Sequence, residues 1–385
     1  MKDSLNQLPY FLQTIKDMSE IILTNIVLNG QIPAPTFGEA KRAEFFIERL
    51  TSFQIAECST DGYGNPLGII RGTGNDKPPI FLVAHMDTIF DSSTEHNYTV
   101  KGKSIMGAGI LDNSVGVGVL LSIPEIFKRL NLQFKSDIIL TAPIHSIGEG
   151  NLQGIHHLVK NWPTPIRGAI CLEGGELGRL NYFSDGMIRG EISCNISQSD
   201  GWKKSYKPNA ILILNEVINQ ILKIRLPQNP STEIIISKFS GGMKYGDIAY
   251  KATIGFEIHS GSDKMVKEIY RNIQDIVNGI VHEYSAKIEL RIISNTHACK
   301  LPYNHPLVKA AIAVMKKLKI KHITEHSESE LSIFLSHKIP AITLGLTQGK
   351  NYHLENAEIE IKPLFKGIAQ ILGVLIAIDE GVCDE

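Results

Sequence analysis

The sequence predicts an α/β protein whose mixed-sheet domain is interrupted by an inserted ferredoxin-like domain, and three observations carry this prediction. A short apolar run at residues 80–84 ends in His85 and Asp87, as expected of a strand buried on both faces of an α/β sheet. Residues 187–294 read as strand, helix, strand, strand, helix, strand, which is the ferredoxin-like βαββαβ order. The α/β pattern then resumes, with a helix at 306–318, a buried strand at 340–344 and a closing helix at 362–378.

A chain of 385 residues suits two domains better than one core. The expected division is a catalytic domain from residues 1–186 and 296–385 around an insertion at 187–295. Hydrophobic residues make up 43% and charged residues 21%, and the formal net charge is −1 from 39 basic and 40 acidic residues. That balance, without runs of like charge, excludes nucleic acid or an anionic membrane as a partner. The first residues lack the apolar core of a signal peptide. The late apolar segment 364–378 contains Lys366 and reads as too short to span a bilayer. The expected location is the cytoplasm. Five scattered cysteines without a C-x-x-C pair argue against a disulfide framework or a zinc ribbon.

Taken in order, residues 4–30 carry apolar positions at helical spacing and stop near Asn29-Gly30,. A second helix follows the Pro33-Ala34-Pro35-Thr36 stretch, and a turn at 61–65 leads into a strand at 67–70. The central strand at 80–84 points His85 and Asp87 to one side at its carboxyl end, because side chains repeat every two residues. Open α/β sheets place their sites at that edge. His-x-Asp alone is common by chance, but a metal-ligating histidine is often held by a carboxylate.

Glycines at 107 and 109 then precede Asp112-Asn113 and a helix over 115–127. A phosphate site is the competing reading, but the G-x-G-x-x-G spacing is absent and Asp112 would repel the anion. A carboxylate here fits a cation. A strand within 136–144 opens into the loop His145-Ser146-Ile147-Gly148-Glu149, and another at 168–172 delivers Glu173. In the insertion, the helix at 264–285 has the clearest apolar face,. A last polar loop after the 340–344 strand presents Asn351-Tyr352-His353. His156 and His157 read as a helix surface, and His322 and His326 as loop histidines.

His85, Asp87, Asp112, Glu173 and His353, on this architecture, resemble the co-catalytic zinc hydrolases of the aminoacylase, carboxypeptidase G, peptidase T and acetylornithine deacetylase clan. The resemblance extends to residues 33–40, Gly64-Asn65, residues 150–154, residues 208–211, Gly241-Gly242 and the closing stretch 351–358. It implies a first zinc on His85, Asp112 and Glu173, with Asp112 bridging to a second zinc on His353 and a further carboxylate. It also implies that Asp87 orients His85, that the substrates are small peptides or N-acyl amino acids, and that the insertion is a lid and homodimerisation domain. One or two zinc ions are the expected cofactor.

The chain departs from this family where the chemistry is concentrated. Relatives carry a Glu-Glu pair after the second site strand, for the general base and a ligand of the second metal, and here Ser146-Ile147 fall there. Neither side chain takes a proton from water at neutral pH. Glu149 reads as a displaced base or as an exposed acid of a glycine loop, and His145 as a substitute base or a solvent-facing histidine. In the insertion, Asp200 falls where relatives have an oxyanion-stabilising histidine, and Gly246 and His259 where they have a substrate-binding asparagine and arginine. Two functions are therefore expected: a metal-dependent hydrolase of altered or reduced activity, or a catalytically inactive pseudoenzyme that acts as a binding or dimer partner.

Overall fold

The computed structural model describes residues 2–74, 76–196, 208–284, 286–327 and 329–384, so Asp200 lies outside the described residues. The chain divides into two compact units, Met1–Phe183 with Lys300–Glu385, and Ser184–Cys299.

The larger unit is built on a seven-stranded sheet. Across it the strands run Glu57–Thr60, Pro66–Ile70, Ile138–Thr141, Ile80–Val83, Gly168–Gly175, Ala341–Thr347 and Leu180–Asn181. The middle four are mutually parallel, and the outer pairings are antiparallel. Ile80, Phe81, Leu82 and Val83 are all fully buried, which explains their unbroken apolar sequence. Each such side chain contributes about 1.5–3 kcal/mol on burial. The carboxyl ends of these parallel strands hold His85 and Glu173 of the candidate site below.

Helices cover the sheet. The expected N-terminal helix is two, Lys2–Asp17 and Ser19–Gly30, broken at Met18, whose N–H is shared between the Thr14 and Ile15 carbonyls. No proline or glycine marks that break in the sequence. Ile110–Leu130 and Ile361–Val382 are each long and apolar enough to cross a membrane by length and composition. The second is longer than the 364–378 run suggested, because the helix continues past Ala377 through a wider turn to Val382. Their apolar windows are 89% and 72% buried inside the protein, so both serve as core helices. The helix Gln153–Asn161 carries His156 and His157 as the sequence suggested, while the six-residue helix Leu331–Ser336, short and preceded by a serine-rich stretch, was missed.

The smaller unit runs strand Gly186–Asn195, helix Ala210–Ile221, strands Thr232–Gly241 and Lys251–Ser260, helix Asp263–Tyr284 and strand Lys287–Thr296. Its sheet is antiparallel throughout. Alternate residues such as Ile188, Ile192, Ile254 and Phe256 pack with Ile213, Val217, Ile269 and Ile273 of the helices. Asn209 caps the first helix by accepting the Ile211 N–H at 3.0 Å,.

Candidate metal centre

His85 follows directly on the central strand and is 6% exposed. Its Nδ1 lies 3.0 Å from the backbone carbonyl oxygen of Asp87 and 3.5 Å from the Asp87 carboxylate. Nδ1–H donating to that carbonyl leaves Nε2 for a cation. Nε2 lies 3.1 Å from Asp112 Oδ1. Asp87 itself faces away from the cation side. Its Oδ2 accepts from the Thr36 hydroxyl at 2.8 Å and from the N–H groups of Ser146 and Ile147 at 3.0 and 2.8 Å.

A second clamp lies behind the same edge. Arg42 is fully buried and donates to the carbonyls of Met86 at 3.1 Å and Ile32 at 2.8 Å, and to the Ser114 hydroxyl at 3.3 Å. It thereby ties the His85-Asp87 turn to the start of the helix that follows Asp112. Burial lowers its pKa to about 10 against the pull of Tyr98, Asp87 and Glu39, so it remains cationic at neutral pH.

Asp112 is placed by its neighbours. Gly109 takes a left-handed φ of 70°, and Asn113 Nδ2 donates to the Leu172 carbonyl at 2.6 Å. A Cβ on Gly174 would meet the Leu111 carbonyl oxygen at 2.0 Å, so glycine is required for this loop to lie against the strand of Glu173. The ligating atoms of His85, Asp112 and Glu173 all lie within 4.8 Å of one another.

His353 arrives from a loop closed by the pairing of Gly349–Lys350 with Glu358–Glu360. That loop docks through the Gly107 N–H to the Ala357 carbonyl, 3.0 Å, and through the Ser104–Met106 strand. His353 Nε2 is 3.7 Å from Asp112 Oδ2, and its side chain is 65% exposed. Asp112 thus turns one oxygen to each histidine.

The electrostatics fit a cation. Burial would lower the pKa of His85, but the Asp112 and Asp87 carboxylates, with the charge of Glu330, hold it well above the usual value. Burial raises Glu173 to about 7; His85 opposes this, while Glu330 and Asp112 add to it. Burial also works against ionisation of Asp87, yet His85 and the hydrogen bonds keep it below the usual range. Several carboxylates share one imidazole in a desolvated pocket, and a divalent ion would relieve that imbalance. Nitrogen and carboxylate oxygen donors in this number suit such an ion.

The remaining predicted residues lie elsewhere. His145 turns its Nδ1 to the Tyr63 hydroxyl at 3.1 Å and its Nε2 toward Glu39 at 3.5 Å, and its ring packs on Phe37. Glu149 sits exposed on the short turn Gly148–Gly150. Neither belongs to the three-ligand cluster. The backbone of Ser146 and Ile147 is fastened to Asp87, and the buried Ser146 hydroxyl has no hydrogen-bond partner. In the smaller unit, Gly246 is exposed. His259 is buried and its Nε2 meets Glu257 at 2.8 Å.

Three residues near the metal ligands escaped sequence reasoning. Glu330 is 2% exposed with Oε1 unpartnered, and its charge acts on His85 and Glu173. In sequence, Ser327 three residues ahead of Glu330 and the apolar run after it reads as a helix cap, which hides this role. Tyr352 and Arg179 lie beside Glu173 and were passed over as loop residues.

The chain belongs to the peptidase family M20/M25/M40, whose family model matches residues 81–377. No curated protein matches in sequence. The fold is similar to that of aminopeptidase PepT from Bacillus cereus, with 16% identity, TM-score 0.71 and coverage of 94% of this chain and 98% of that one. It is similar to the di-peptidase Dug1p from Saccharomyces cerevisiae, with 12% identity, TM-score 0.80 and coverage of 97% and 99%. It is also similar to the YXEP protein of Bacillus subtilis, a dinuclear metal binding peptidase, with 14% identity, TM-score 0.64 and coverage of 94% and 99%.

Proposed function

We propose that the protein is a metal-dependent hydrolase of peptide or N-acyl amide bonds, of altered or reduced activity, that holds its metal ion on His85, Asp112 and Glu173. The observation that carries this reading is the convergence of those three side chains, whose ligating atoms lie within 4.8 Å of one another. The nitrogen and carboxylate donors favour zinc. A bound zinc ion supplies Lewis-acid polarisation of the scissile carbonyl and makes water a better nucleophile.

The chain's own residues do the rest. Asp87 and the carbonyl beside it orient His85, and Asp112, with one oxygen toward His85 and one toward His353, would help hold a second ion if one bound. No acid occupies position 146 or 147, so proton transfer from water must fall to another group. His145, paired with Glu39 and Tyr63, and Glu149 are the candidates. The absence of both acids favours the second reading, a pseudoenzyme that binds its ligand without turning it over.

The inserted unit is the proposed lid and homodimerisation domain. Its support is the edge strand Thr232–Gly241, which exposes Ile235 and Phe239, a surface that natural proteins usually cover. All five cysteines are free thiols, in keeping with a cytoplasmic location. The test is elemental analysis of protein purified without chelator, with assays of zinc-supplemented protein on dipeptides and N-acyl amino acids. About one zinc per chain and slow turnover that is lost in Glu173→Gln support the hydrolase. Bound zinc without turnover of any substrate moves the reading to the pseudoenzyme.

A further inference from the structure

We propose that Arg179 and Tyr352 form a subsite for a substrate carboxylate beside Glu173, in place of a clamp on the inserted unit. This rests on the reading of the metal centre as a peptide or N-acyl amide site and narrows its substrates to amides bearing a free carboxylate.

The placement follows from the sheet. Glu173 and Gly175 are two apart on one strand, and Gly345 is the register partner of Glu173 on the neighbouring strand. Their Cβ directions therefore point to the same face. A Cβ on Gly175 would lie 1.3 Å from the Tyr352 hydroxyl oxygen, and a Cβ on Gly345 would lie 2.1 Å from the Glu176 carbonyl oxygen, with Arg179 Cβ at 3.0 Å. Two glycines thus open the space in which a phenol and the stem of an arginine pack beside a metal ligand. A side chain at 175 would displace the phenol, and one at 345 would displace the Glu176 backbone that leads into Arg179.

Arg179 is not engaged by a protein anion. Among the described residues its guanidinium makes no ion pair, and its buried Nε has no hydrogen-bond partner. A desolvated donor of this kind is costly until an acceptor arrives, and a planar guanidinium suits a carboxylate. Its charge is felt at both Glu173 and Tyr352. The Tyr352 phenol keeps its proton at neutral pH, as phenols with a pKa of about 10 do, and can donate a hydrogen bond. In the smaller unit, by contrast, Arg189 and His259 both meet Glu257, at 2.6 and 2.8 Å. Both side chains already have their carboxylate.

The test measures binding, not turnover. Zinc-loaded full-length protein is titrated calorimetrically with a non-hydrolysable Gly-Leu isostere, its amide replaced by CH2–NH, and with the C-terminal carboxamide of the same compound. The wild type should bind the carboxylate at least about tenfold more tightly than the carboxamide. Arg179→Met should erase that preference, Arg179→Lys should keep part of it, and Tyr352→Phe should reduce it a few-fold, all with unchanged zinc content. A preference that survives Arg179→Met overturns the subsite. So does an equal weakening of both probes, which would make Arg179 a mere counter-charge to Glu173, and so does failure of the wild type to bind either probe. Carboxylate preference without hydrolysis of any substrate would sink the hydrolase reading and leave the subsite standing.

Discussion

The two halves of the metal centre are built differently. In the half at His85, Asp112 and Glu173, the first and last stand at parallel strand ends and Asp112 at the turn that opens the helix Val115–Leu130. This half is fastened from behind by Arg42 and Asn113 and pressed on by the buried Glu330. The half at His353 lies on a loop, is 65% exposed and, among the described residues, has Asp112 alone as a neighbouring candidate ligand; the resemblance to the family puts Ile147 at its third position. The first half concentrates negative charge in a dry pocket. The second offers one exposed imidazole to solvent. A donor set is strong when burial leaves it no other way to be neutralised, and by that criterion this chain keeps one good metal position rather than two.

The largest effect should follow from damage to the buried half. His85→Ala removes the one nitrogen ligand of the three and leaves Asp112 and Glu173 to repel each other, so zinc affinity should fall by at least about a hundredfold. Equilibrium dialysis measures it. Retention of a full complement of zinc would show that the metal sits elsewhere and would break the comparison.

The next effect is a gain. Ser146→Glu with Ile147→Glu places two acids in the loop whose backbone is already held by Asp87. Zinc stoichiometry should rise from about one to about two per chain, as counted by elemental analysis. An unchanged stoichiometry would mean that residues 146 and 147 do not point toward His353.

A smaller, graded effect comes from pH. In the metal-free chain His85 is held well above its usual 6.5, and burial holds Glu173 at about 7 instead of 4.5. Zinc must displace both protons, so its affinity should rise by about tenfold per pH unit for each proton released. Folding of the metal-free chain runs the other way. Both groups have folded pKa values above their unfolded ones, so their stabilisation is full at low pH. It is lost as pH rises, from 4.5 through about 7 for Glu173 and from 6.5 upward for His85. Thermal melts with and without zinc should therefore diverge as pH rises from about 5 to 8; a constant gap would mean that these protons do not move.

Much of the fold was legible because burial writes itself into sequence. The run at residues 80–83 is apolar because both its faces are covered, and the alternation in the inserted unit reports one buried face. The candidate ligands were legible as polar residues at strand ends. Arg42, Glu330 and Arg179 were not, since a charged residue in a sequence carries no sign of burial. Arg42 sits in a helix whose apolar face gave no hint of a guanidinium spanning Ile32, Met86 and Ser114. Tyr352 was visible but had no assignable role until Gly175 and Gly345 were seen to leave room beside Glu173.

The smallest effect should come from His353→Ala. Its side chain is mostly in water and touches the cluster only through Asp112 at 3.7 Å, so little packing is lost and no buried donor is stranded. Its φ of +60° is unfavourable for alanine and histidine alike,, and stability should change by less than about 0.5 kcal/mol. Zinc affinity of the first position should fall less than about threefold, because Asp112 keeps its oxygen toward His85,. In the Ser146→Glu, Ile147→Glu background the same substitution should remove the second zinc altogether. A large loss of the first zinc from His353→Ala alone would show that the two halves act as one binding unit. The separation between a buried, retained position and an exposed, vestigial one would then be wrong.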